Sequence, residues 1–141
     1  MAHLALVTSS QPKSAPTTDT RLLKLCRQYL ASHAYLAELR QRHVAAMAIA
    51  ASVLRKRPAD PAASDLWAKL WQTTPAYYLT HGIACSEKRQ VALLAEIAET
   101  RARTEAGLRA RMQVWRTVLA ADDADRLLDA IVADCRSRRR T

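Results

Sequence analysis

From Thr20 to Arg57 the chain meets neither Gly nor Pro, and a stripe of residues returns at alternating steps of three and four: Leu22, Cys26, Tyr29, His33, Leu36, Arg40, His43, Met47, Ala50 and Leu54. Only an α-helix, at 3.6 residues per turn, lays such positions along one face. The spacing predicts a helix over residues 20–56, with Thr18 or Asp19 accepting the N–H groups of its first turn and Pro58 forbidding its continuation. A second stripe, Val91, Leu94, Ala98, Arg101, Glu105, Leu108, Met112, Trp115 and Leu119, predicts another long helix over 84–120, in which Gly107 is the one breaker.

Shorter elements surround these two. Ser64 as N-cap, followed by Leu66, Trp67, Leu70 and Trp71, predicts a short helix over 64–73. Thr74, Pro75 and Gly82 read as a turn-rich connection whose Tyr77, Tyr78 and Leu79 fold back on the core. Asp122 and Asp123 offer a cap for a last helix over 123–137, amphipathic through Leu127, Leu128, Ile131, Val132 and Cys135. Acids at its start and Arg136, Arg138, Arg139 and Arg140 at its end suit the helix dipole. Residues 1–18, rich in Ser, Thr and Pro, read as a mobile tail, residues 19–137 as one helical domain, and 138–141 as a basic tail.

The expected fold is therefore all-α: a long antiparallel helical hairpin with a short crossover helix and a C-terminal helix alongside, a three- to four-helix bundle. Composition agrees, since 141 residues with two Gly, no Phe and an apolar set dominated by Ala disfavour strands. Pairing the two stripes with Leu22 beside Leu119 sets Leu36 opposite Glu105 and Arg40 opposite Arg101. A seam position tolerates charge when it is paired, so Arg40, Arg101 and Glu105 are expected to form a polar layer that sets the register. A polar ligand pocket in the bundle core is the alternative reading. A spare apolar row, Leu23, Leu30, Ala37, Val44 and Ala51, needs the tryptophan-bearing helix, the last helix or a second subunit to cover it.

Sites for chemistry are sparse. His81 and Cys85 stand four apart, but two ligands do not hold zinc and no second pair lies at ligand spacing. No metal or cofactor is expected. His33 and His43 lie in the seam without an adjacent carboxylate and read as partly buried structural residues. Three cysteines, Cys26, Cys85 and Cys135, read as reduced, small core residues. No nucleophile elbow, phosphate-binding glycine loop or zinc-protease motif occurs, and catalysis is not expected. No apolar run is long enough to span a bilayer and the start lacks the features of a secretory signal, so the expectation is a cytoplasmic protein.

Charge carries the functional expectation. Lys and Arg exceed Asp and Glu by 22 to 13, and residues 21–57 alone hold eight bases against Glu38. Arg55, Lys56 and Arg57 end the first helix, and the antiparallel register brings them to Lys88 and Arg89; Arg136, Arg138, Arg139 and Arg140 make a second cluster. Clustered cations of this kind contact phosphates without reading sequence. The expected function is a small, non-enzymatic basic binding protein that engages nucleic acid or a nucleoprotein complex. One alternative is an adaptor or inhibitor that docks on an acidic protein surface; another is a structural homo-oligomer, with a homodimer formed through the spare apolar row.

Thr74-Pro75-Ala76, then Leu79, Gly82 and Lys88, placed between a Trp-containing short helix and a long Ala-rich helix, resembles a joining segment in a group of uncharacterised proteobacterial helical proteins of phage-derived or mobile regions. This chain spaces Pro75, Gly82 and Lys88 more widely than that group does. The resemblance covers residues 20–135 and implies a helical hairpin and a mobile-element origin; it brings no catalytic residue.

Overall fold

The computed structural model describes residues 18–118 and 121–140. Five helices carry them in the order α1 (Thr20–Leu54), α2 (Pro61–Trp71), α3 (Pro75–Glu99), α4 (Glu105–Thr117) and α5 (Ala121–Arg139), and no strand occurs among the described residues. The all-α expectation holds. The expected tail over 1–18 lies, Thr18 apart, outside the described residues.

Helix α1 begins where expected and stops short of Pro58. Arg55 leaves it with φ 55° and ψ −159°, a backbone region that suits Gly, while its N–H still bonds the Ala51 carbonyl. The other starts differ from expectation for one physical reason. Asp60 followed by Pro61, and Thr74 followed by Pro75, are each an N-cap with Pro at the first helical position, where no N–H is needed. The Asp60 carboxylate accepts from Ala63 N–H at 3.1 Å, so Ser64 lies inside α2. The Thr74 hydroxyl accepts from Tyr77 N–H at 3.4 Å, and the expected loop around Gly82 is the first two turns of α3.

The expected rod over 84–120 is two helices. Residues 100–104 break it, and Thr104 caps α4 by accepting from Gly107 N–H at 3.0 Å. This break changes the register of the hairpin. Arg21 reaches Glu96 at 3.8 Å, Arg40 reaches Glu87 at 3.1 Å, and His43 meets the Thr80 hydroxyl at 2.9 Å, so α1 and α3 run in opposite directions. Arg40 therefore does not meet Glu105, and the expected polar layer is absent. Glu105 sits exposed on α4 with Arg109 at 2.6 Å, and Arg101 is exposed in the break.

The core gathers at one end. Leu22, Leu25, Cys26 and Tyr29 of α1 close on Leu93 and Ile97 of α3, Ala102, Val114 of α4, and Leu127 and Ile131 of α5. At the other end α2 packs only lightly, on α1. Leu23 and Leu30 of the spare row are half-buried, while Ala37, Val44 and Ala51 remain exposed, so neither candidate helix covers the far half of that row.

Candidate nucleic-acid interface

The break at residues 100–104 is held by three buried charges. Arg111 is 1% exposed and pairs with Asp134 of α5. Its guanidinium also donates to the carbonyls of Ile97 at 2.7 Å, Ala98 at 3.1 Å and Thr100, the acceptors that the end of α3 leaves without helical donors. Asp134 further accepts from Ala102 N–H at 3.3 Å. One side chain thus caps α3 from α4 and ties both to α5.

Asp19 holds the other side of the break. It does not cap α1; instead its carboxylate accepts from Arg103 N–H at 3.0 Å, Thr104 N–H at 2.8 Å and the Thr104 hydroxyl at 2.6 Å. Burial acts to raise its pKa, but the Thr104 hydroxyl, the two N–H groups and the nearby Arg103 charge outweigh that and hold it below the usual 3.8. A Cβ on Gly107 would stand 2.0 Å from the Asp19 Oδ2, so only Gly leaves room for the carboxylate.

Arginines still outnumber acids on the surface around the break, where Glu96 meets Arg21, Glu99 meets Arg126 and Glu105 meets Arg109. Arg21 opens α1, and Arg101 and Arg103 flank Ala102, all three lining one shallow cleft with Asp19. Asp134 faces Ala102, so Arg138, one helical turn further on, projects on the same side of α5 past the end of α3. Arg136, Arg139 and Arg140 accompany it, and the helix continues through Arg139 rather than ending in a separate tail at 138. Seven arginines from three segments share this end: Arg21, Arg101, Arg103, Arg136, Arg138, Arg139 and Arg140.

The other expected cluster does not form. Lys88 and Arg89 lie in mid-α3, beside the level of the Arg40–Glu87 pair, and stand about 20 Å along the axis from the start of α3 that faces the end of α1. Arg57 is held by α2, donating to the Ser64 hydroxyl at 2.7 Å and lying 5.5 Å from the Trp67 ring centre. Arg55 and Lys56 remain exposed at that end.

The remaining candidates show no reactive geometry. No group of three or more His, Cys, Asp or Glu could hold a metal among the described residues. His81 packs edge-on to Tyr77 at 4.5 Å, and His33 stacks on Tyr29 at 6.1 Å. Cys26 is buried, which pushes its thiol up to about 11 against a smaller lowering by Arg111; Cys85 and Cys135 are exposed, contrary to the core placement expected of all three. A cleft of about 280 Å³ beside Arg40 and Glu87 is lined by Tyr29, His33 and Gln90, whose amide nitrogen is buried without a partner among the described residues. No helix among the described residues is long and apolar enough to cross a membrane. No family model, no curated protein and no solved structure matches the chain.

Proposed function

We propose that this helical bundle, a long antiparallel hairpin with a crossover helix and a C-terminal helix, is a non-enzymatic binding protein that grips nucleic-acid phosphates with its arginine-rich end. One observation carries the reading: Asp19 and Asp134 are buried at that end and spent on N–H groups and Arg111, so arginines outnumber acids on the surface outside, even with Arg21 paired to Glu96 and Arg103 near Asp19. Guanidinium groups on the tip of a helix and a neighbouring loop suit phosphate contact, which asks for positive charge and planar donors rather than base-reading geometry. The phage or mobile-element setting implied by the 74–88 segment is compatible with such a role.

Binding to random-sequence duplex DNA, followed across a salt series, tests it. Replacing Arg136, Arg138, Arg139 and Arg140 together with Gln is expected to weaken binding by about tenfold or more and to flatten the salt slope by about three units. Replacing Lys88 and Arg89 with Gln should leave both nearly unchanged. Absence of binding to DNA and RNA near physiological ionic strength, or equal losses in the two variants, overturns the proposal.

A further inference from the structure

At the opposite end, the last four turns of α1 and the first turns of α3 enclose an open trough of about 540 Å³. Ala45, Ala46, Ile49, Ala50 and Val53 of α1 line it together with Pro75 and Leu79 of α3. Ile49 and Val53 are 66% and 72% exposed, an uncommon state for two β-branched residues one turn apart. The three alanines of the lining let another backbone come close, as helix pairs require. Residues 42–53 span about 17 Å, room for about three turns of a helix.

Charge selects the occupant. Arg42 stands at one end of the trough, and Arg55 and Lys56, past Leu54, follow Val53 at the other. Glu38 pairs with Arg42 at 2.5 Å and offsets its charge, and Asp60 caps α2, so the surplus positive charge lies at the Arg55 and Lys56 end. A second copy of the chain, laid antiparallel across the trough about a two-fold axis, brings no surplus acid to Arg55 and Lys56, because its own Glu38 is already paired with Arg42. We infer that the trough receives an amphipathic helix of a partner protein, with an i, i+3, i+4, i+7 apolar face and Asp or Glu at the end that meets Arg55 and Lys56. This surface is independent of the arginine end and recruits a protein rather than a nucleic acid.

Two synthetic 15-residue helical peptides with the same Leu face, one flanked by Glu and one by Lys, probe it against the full chain by fluorescence anisotropy and by amide NMR shifts. The Glu-flanked peptide is expected to bind at least about tenfold tighter than its Lys-flanked counterpart, with the largest shifts at Ile49, Val53 and Leu79. Ile49→Gln should abolish binding with the fold retained by circular dichroism. Charge reversal through Arg55→Glu with Lys56→Glu should invert the preference between peptides. Duplex DNA should leave the trough resonances in place. Equal affinity for both peptides, shifts confined to other faces, trough shifts on adding DNA, or light scattering of a dimer that Ile49→Gln dissociates each overturns the inference.

Discussion

The two ends of the molecule solve opposite problems. Around residues 100–104, four helices converge and even charged groups are buried against partners: Arg111 with Asp134 and the last carbonyls of α3, its Nε left without one among the described residues, and Asp19 with the N–H groups of Arg103 and Thr104. Around residues 42–79, two helices and a lightly attached third leave Val44, Ile49, Val53, Leu66 and Tyr78 in water. A core that closes completely yields stability and carries its function on the outside, as charge. An end that does not close keeps apolar surface available to something else.

Substitutions can break that contrast. Arg111→Met strands Asp134 and the α3 carbonyls in the core and is expected to cost about 3–5 kcal/mol in urea unfolding. Adding Asp134→Leu should recover only part, because the carbonyls stay without donors. Val53→Ser at the open end is the matched control, expected within about 0.5 kcal/mol of the parent. If the two single variants lose equally, the ends are not distinct in stability.

A smaller effect sharpens the role of Asp19. Gly to Ala inside a helix normally stabilises by about 1 kcal/mol, but Gly107→Ala displaces a carboxylate held by three donors and should instead cost about 1–3 kcal/mol. In an Asp19→Ala background the same change should turn neutral or favourable. Because the folded pKa of Asp19 lies below 3.8, its contribution is complete above that value and is lost as the pH falls through the lowered folded value. Melting temperature should therefore fall less steeply in acid for Asp19→Asn than for the parent.

The smallest change is expected at the open end, in the favourable direction. Arg55 is held at φ 55°, and Arg55→Gly should relieve the strain and raise stability by about 1 kcal/mol, read as a higher urea midpoint. No gain there would mean that the end of α1 frays in solution.

The helices were legible because Ala-rich stretches with three-and-four spacing admit little else, and Leu22, Cys26, Tyr29, Leu36 and Ala50 are buried as the first stripe requires. The second stripe was read one residue out of phase. Leu94, Ala98, Leu108 and Met112 were placed on the seam, whereas Leu93, Ile97, Gly107 and Arg111 are the buried ones, a rotation of about 100°. Gly107 counts there as the one breaker of a continuous rod, and Arg111 carries no local signal of burial. Thr104, Glu105 and Gly107 together are a cap, a first-turn acid and a site of close approach, and that pattern could have revealed the break. Asp60-Pro61 and Thr74-Pro75 were ambiguous in a different way, since a residue that caps a helix followed by Pro also opens a turn. The bases of α5 were legible as a cluster, but which neighbours they join depends on Asp134 facing Ala102, a contact with no local signature.

Asp134 sits one turn before Arg138 on the same side of α5, so a load on the tip of that helix bears directly on the carboxylate that neutralises Arg111. Strain applied from outside would reach the joint between α3 and α4 through the two groups that donate to this carboxylate, the Arg111 guanidinium and the Ala102 N–H, and the tip and the joint should loosen or tighten together.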